Sequence, residues 1–304
     1  MKRLFLPFLL LCILILSACG KNETTNEKNS TETESETDTY QSEIGPVEVP
    51  RNPKRIIALS NGPNVLALDG NVVGIDQWTN MNPLFQDRLE GVEVVSDETL
   101  EKIIELEPDL IIAGSEMKNI DKLNKIAPTV VFTWGKLDYL TQQIEIGKLL
   151  NKENEAKEWV NDFKERAETA GEKIQEKIGK DATVSVIENG NKEIYVFGNN
   201  YARGTEILYQ AMKLKMPKKV EEMALESGIY VLSTEVISEF AGDYMIFSNN
   251  PDAESSFLET ETWKNIPAVK NDHVIEINSK ASTYSDPITL EYLLEIFEKS
   301  FLNN

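Results

Sequence analysis

From Val47 onward the chain alternates short, continuous apolar runs with longer stretches in which apolar residues recur at threes and fours. In the first half the apolar runs are Ile56-Ile57-Ala58-Leu59, Asn71 to Ile75, Leu110 to Ala113 and Val130-Val131-Phe132, each bounded by Pro, Gly, Asn or Ser. In the second half they are Ala182 to Ile187, Glu193 to Gly198, Asp243 to Phe247 and His273 to Ile277. Runs this short and this apolar are the signature of strands buried on both faces, and their alternation with helical segments predicts mostly parallel α/β sheets. Between the halves, Trp159, Phe163, Ala167, Ala170 and Ile174 keep helical spacing from Glu153 to a stop at Gly179. A helix of about 26 residues spans ~39 Å, enough to run from one lobe to another.

A local repeat supports two similar lobes. Glu101, Glu105 and Asp109 precede Leu110-Ile111-Ile112, and Glu235, Glu239 and Asp243 precede Tyr244-Met245-Ile246 with the same spacing. Four-residue spacing puts each pair of glutamates on one helix face. The fold class expected is therefore α/β, with two Rossmann-like lobes of mostly parallel sheet joined by one long connecting helix.

The segment before this body reads differently. Lys2 and Arg3 precede an apolar run from Leu4 to Leu16, too short to span a bilayer and typical of an export signal. Leu16-Ser17-Ala18-Cys19 matches a lipobox, which implies lipidation of Cys19 and a membrane anchor. Gly20 to Gly45 is rich in Thr, Ser, Glu and Asn and nearly devoid of aliphatic residues, so it is expected to be a disordered acidic tether. The organisation read from the sequence is a signal peptide at 1–19, a tether at 20–45, an N-terminal lobe at 46–150, a connecting helix at 151–180 and a C-terminal lobe at 181–304.

Composition narrows the chemistry. A formal charge of −20, from 51 acidic and 31 basic residues, with no basic stripe, argues against nucleic acid as a partner. The two cysteines, Cys12 and Cys19, leave the body without a disulfide or a thiolate site, and His273 is the single histidine. There is no GxSxG, P-loop or Rossmann glycine fingerprint, so the chain is read as a binding protein and not an enzyme.

Several segments resemble the helical-backbone periplasmic-binding-protein family, whose members carry metal chelates for ABC importers. They are Val49 to Arg55, Leu100 to Ile112 and Ile126 to Val131 in the first half. In the second, Tyr195-Val196-Phe197-Gly198-Asn199-Asn200-Tyr201-Ala202-Arg203-Gly204 resembles the binding segment of Gram-positive ferric-hydroxamate lipoproteins, as do Ala241 to Tyr244, Trp263 to Ile266 and Ser285 to Leu290. The likeness runs from about Val47 to Leu302. It implies capture of a ferric siderophore, hydroxamate or mixed citrate-hydroxamate, between two lobes, with delivery to a permease dimer. The protein would be a monomer, lipid-anchored at the extracytoplasmic face of the cell membrane. No cofactor or protein-ligated metal is expected, because the iron arrives already chelated.

Carried over by position, Arg203 is implied to contact chelate oxygens, a role suited to a fixed fork of donors that stays charged. Tyr201 stands where relatives often have Trp, and Trp134 where they present an aromatic from the first lobe. Tyr195, Tyr284 and Trp78 complete the implied ligand wall. Thr283 departs from a bulky aromatic in hydroxamate binders, which leaves the individual siderophore open. Glu101 and Glu235 correspond to paired surface glutamates that dock on permease arginines; as plain residues they are also ordinary carboxylates near helix starts. Other chelates (ferric citrate, catecholate, haem or cobalamin) remain alternatives, as does a lipoprotein adhesin or sensor. A catecholate would need more cations than Arg203 alone, and haem would need a better placed histidine.

Overall fold

The computed structural model describes residues 36–190 and 193–303. The lipobox cysteine and the signal segment lie outside them. Among the described residues the chain opens with a hairpin, β1 (Thr37–Ser42) against β2 (Gly45–Pro50), in register Ser42 to Gly45. The acidic tether expected at 20–45 therefore ends sooner: 37–42 is a strand despite its polar composition. Its stability is not local. Tyr40 packs on Phe132 at 6.3 Å and donates to Glu145 at 2.9 Å, both far along the chain.

The first lobe is a parallel sheet of β3 (Ile56–Ala58), β4 (Val72–Ile75), β5 (Glu93–Val94), β6 (Leu110–Gly114) and β7 (Thr129–Phe132), in the order β5-β4-β3-β6-β7. Helices α1 (Gly62–Ala67), α2 (Gln77–Met81), α3 (Leu100–Glu105), α4 (Ile120–Leu123) and α5 (Tyr139–Leu149) connect and flank it. Strands β3 and β6 are fully buried, as their unbroken apolar sequence requires.

The second lobe contains β8 (Val184–Asn189), β9 (Ile194–Phe197), β10 (Ile229–Leu232), β11 (Tyr244–Asn249) and β12 (Val274–Asn278), in the order β10-β9-β8-β11-β12. Both sheets thus place their first strand at the centre and grow outward the same way. They differ in sense: β8, β10, β11 and β12 run the same way, but β9, between β8 and β10, is antiparallel to both, so this sheet is mixed. The lobe also carries a π-helical turn (Glu206–Ala211) and helices α7 (Lys218–Ala224), α8 (Ile237–Phe240), α9 (Glu261–Lys264), α10 (Pro267–Lys270) and α11 (Pro287–Leu302).

The repeat seen in the sequence has a structural meaning. The Asp109 carboxylate accepts the amides of Lys54 (2.6 Å) and Arg55 (2.9 Å), and the next residue, Leu110, pairs with Ile56. The Asp243 carboxylate accepts the amide of Thr183 (2.8 Å), and Tyr244 pairs with Val184. Each aspartate pins the start of its lobe's central strand and sets the register beside it. The glutamates diverge: Glu101 opens α3, whereas Glu235 sits in a 3-10 turn (Thr234–Val236) ahead of α8.

Helix α6 (Glu153–Ile178) joins the lobes and ends at Gly179, whose φ of 98° favours glycine. Its Ala156 is in the first lobe's core, while Phe163, Ala167, Ala170 and Ile174 are in the second's. The helix is also tied to α11: Glu291 accepts from Trp159 Nε1 at 2.9 Å and from both terminal nitrogens of Arg166, at 2.9 and 2.5 Å. Trp159 stacks on Phe163 and Trp263 is buried against Phe247 and Phe257, so both are packing residues.

Candidate ligand-binding cleft

Open α/β sheets bind ligands beyond the carboxyl ends of their strands. A cleft of about 900 Å³ opens there between the lobes. Its walls come from Ser60 and Asn61 after β3, from Phe132 at the end of β7 with 133–135 and 137–139 beyond it, from 199–203, from the π-helical turn and from 283–286 after β12.

Four of the six residues expected to meet a siderophore line this cleft: Trp134, Tyr201, Arg203 and Tyr284. Trp134, 74% exposed, comes from the first lobe and meets Tyr201 of the second edge-on, with ring centroids 5.5 Å apart. Tyr201 stacks on buried Phe197 at 5.7 Å. Tyr284 crosses the other way: its ring packs on Phe85 at 5.9 Å and its hydroxyl lies 3.1 Å from Thr79 Oγ1. Tyr195 and Trp78 do not line the cleft. The Tyr195 hydroxyl donates to Glu193 at 2.9 Å, and Trp78, 71% exposed, stands on the outer side of α2's first turn.

Arg203 sits in a left-handed run, Ala202 (φ 59°), Arg203 (φ 55°) and Gly204 (φ 78°). Such backbone costs about 1 kcal/mol or more for each L-residue and needs fixing by its surroundings. Here Ala202 N–H donates to Glu206, Thr205 Oγ1 donates to Ala202 O at 2.8 Å, and Arg203 N–H donates to Ser282 O at 2.8 Å. The turn lays the guanidinium over Phe197, 5.0 Å from the ring centroid. Its Nε and one terminal nitrogen form a fork on Glu188, at 2.9 and 3.1 Å, with the side chains only 18% and 9% exposed. Ser248 Oγ donates to the same carboxylate at 2.7 Å. The remaining nitrogen of Arg203 makes one long contact, 3.5 Å from Tyr201 O, so it retains donor capacity toward the cleft.

Glu188 was legible in principle. A carboxylate next to the end of a fully buried strand, Val-Ser-Val-Ile-Glu-Asn, requires a cation nearby. A second missed signal is a repeated Asp-x-x-Thr: Asp76 to Thr79, Asp138 to Thr141 and Asp286 to Thr289. Each aspartate caps a helix, α2, α5 and α11, by accepting amides two and three residues on. The caps at Asp138 and Asp286 line the cleft.

The same motif gives opposite electrostatics. At Asp138 partial burial opposes ionisation, but hydrogen bonds from Thr141 and Leu140 outweigh it and hold the carboxyl below its ordinary range. Asp286 is fully enclosed, and burial outweighs those bonds, pushing it up to about 6. Burial likewise raises Glu206 against its bonds from Ala202, Ser285 and Thr205. The cleft lining carries Asp138, Glu206 and Asp286 against Arg203 and Lys213, and Arg203 is already matched by Glu188. Such a lining disfavours a highly anionic ligand. His273 lies elsewhere, stacked on Tyr244 at 4.1 Å.

A model of the family described as "Periplasmic binding protein" matches residues 62–281. The iron(3+)-hydroxamate-binding protein FhuD of Bacillus subtilis (strain 168) is 36% identical over 301 residues, covering 96% of this chain and 95% of its own. The iron(3+)-hydroxamate-binding protein YxeB of the same organism is 37% identical over 304 residues, covering 96% and 94%. Among solved structures, FhuD2 of Staphylococcus aureus with bound ferrioxamine B superposes with a TM-score of 0.78 at 32% identity, covering 83% of this chain and 99% of that one.

Proposed function

Since this chain belongs to the periplasmic binding protein family, we propose that it captures a ferric siderophore of the hydroxamate or mixed citrate-hydroxamate class and delivers it to an ABC importer. One observation carries the choice of class. The cleft meets its ligand with aromatic rings from both lobes, Trp134, Tyr201 and Tyr284, around an arginine whose charge Glu188 largely cancels. Aromatic surface suits the organic shell of a chelate, and the free guanidinium donors suit hydroxamate or carbonyl oxygens. A tris-catecholate, with about three negative charges, would face the ionised Asp138 and find only Arg203, already matched by Glu188, and Lys213 as cations in the lining. The names of relatives with 36% and 37% identity agree with this reading.

The protein binds and releases its ligand unchanged in this account, and the iron keeps its siderophore ligands throughout. Cys19 carries the lipid that holds the protein, as a monomer, at the outer face of the cell membrane. Glu101 and Glu235, one on each lobe and both exposed, dock on the permease. Replacing Cys19→Ala should move the protein from the membrane to the soluble fraction.

The decisive experiment titrates the protein lacking residues 1–19 with ferrioxamine B, ferric schizokinen, ferric enterobactin, ferric citrate and haem, following tryptophan fluorescence. Saturable quenching by a hydroxamate-containing chelate at submicromolar concentration is expected. A response confined to enterobactin or haem would overturn the class while leaving the transport role.

A further inference from the structure

The loop that carries Trp134 is held from outside the cleft. After β7 the chain turns through Thr133-Trp134-Gly135-Lys136-Leu137, with Gly135 at φ 75°, before Asp138 caps α5. The outer end of this loop is fixed by Glu43, in the two-residue turn of the β1–β2 hairpin. One carboxylate oxygen accepts Thr133 N–H at 3.0 Å; the other accepts the Thr133 hydroxyl at 2.5 Å and pairs with Lys136 Nζ at 3.2 Å. The Glu43 side chain is 20% exposed. The hairpin bears on the same strand further back, where Ser42 Oγ accepts Val131 N–H at 3.0 Å and Tyr40 packs on the cleft-lining Phe132.

Glu43 does not line the cleft, yet every one of its bonds ends on the loop that does. We propose that Glu43 is a positioning residue for ligand binding, holding the Thr133–Leu137 loop so that Trp134 faces Tyr201 across the cleft. The inference rests on the cleft being the siderophore site. Physically, the Trp134 ring is largely exposed and has little packing of its own. Its orientation depends on the backbone beneath it, and releasing that backbone adds an ordering cost that ligand binding must then overcome.

The test uses the chain lacking residues 1–19, labelled with fluorotryptophan, in Glu43→Ala and Glu43→Gln forms, with Trp134→Phe assigning the Trp134 fluorine resonance. Calorimetric titration with ferrioxamine B gives affinity, and thermal unfolding reports integrity. Glu43→Ala should move or broaden the Trp134 resonance, leave the other tryptophan resonances in place, and weaken binding about tenfold. Glu43→Gln, which still accepts from Thr133, should recover most of both signals. The proposal is overturned if Glu43→Ala keeps wild-type affinity while Trp134→Phe or Arg203→Ala loses it. It is equally overturned if the Trp134 resonance is unmoved. If neither Trp134→Phe nor Arg203→Ala alters affinity, the cleft assignment fails instead, and the fluorine spectrum alone still judges whether Glu43 holds the loop. Should Glu43→Ala unfold, Thr133→Val, which removes only the hydroxyl bond to Glu43, carries the test: a displaced Trp134 resonance supports the proposal and an unmoved one refutes it.

Discussion

At the scale of single residues, Arg203 has two jobs that can be separated. It presents donors to the cleft, and it neutralises a carboxylate buried with Ser248 at the end of β8. Removing one partner of a buried pair strands the other, at about 3 kcal/mol. Arg203→Ala should therefore lose both stability and affinity, the latter at least tenfold. The double variant Arg203→Ala/Glu188→Gln should regain much of the stability in urea unfolding without regaining affinity. Recovery of both would mean that Arg203 serves the fold alone. Asp286 allows a cleaner electrostatic test. Its carboxyl is raised to about 6 by burial, so the native state holds its proton more tightly than the unfolded chain. The stabilisation is fully present below pH ~4 and is lost as pH rises through about 6, by roughly 3 kcal/mol. Asp286→Asn keeps a good cap without the charge. Relative to wild type it should gain melting temperature at pH 7.5 and little at pH 4. The sequence showed Arg203 by resemblance, and Glu188 had its own signal as a carboxylate in a buried strand, but their pairing had none, since it joins β8 to a left-handed turn that no local pattern announces.

At the scale of elements, the connecting helix was readable because its apolar stripe, cap and length all lie in one stretch of chain. What the stripe did not reveal is how closely the helix approaches the second lobe. A Cβ on Gly171 would come within 2.3 Å of Met212 O and 2.5 Å of its Cα, so the glycine is where backbone meets backbone. Gly171→Ala gains about 1 kcal/mol of helix propensity but must push α6 away from this contact. We expect a net loss of about 1–3 kcal/mol in urea unfolding. A neutral or stabilising result would mean that the helix can slide, and that the lobes are less firmly spaced than the packing indicates. The elements that escaped the sequence reading share one property. Strand β1 is polar, β5 has two residues, and β10 (Ile229–Leu232) runs antiparallel at a sheet edge. All depend on distant partners more than on their own pattern. The short strands buried on both faces carry their evidence within themselves.

At the scale of the whole molecule, the duplicated lobes put an exposed glutamate on each side of a stiff connector. Surface carboxylates of this kind add little to stability. The double variant Glu101→Ala/Glu235→Ala should bind ferrioxamine B within about twofold of wild type. In cells it should fail to support uptake of the radioiron-labelled chelate, and normal uptake would remove both residues from the docking role. The lobe plan and the connector were legible in the order of strands and helices. The cleft was legible only in part, because its chemistry is assembled from loops of both lobes. The hairpin that precedes the first lobe has one more consequence, for anyone making this protein from a shortened chain. Strand β7 is the last of its sheet, and the outward amides of Val131 and Thr133 are satisfied by Ser42 and Glu43. A chain trimmed to begin at Pro46 would keep both lobes yet bare that edge, an open template for a second copy. Light scattering should then find growing assemblies, where a chain starting at Glu36 stays dispersed.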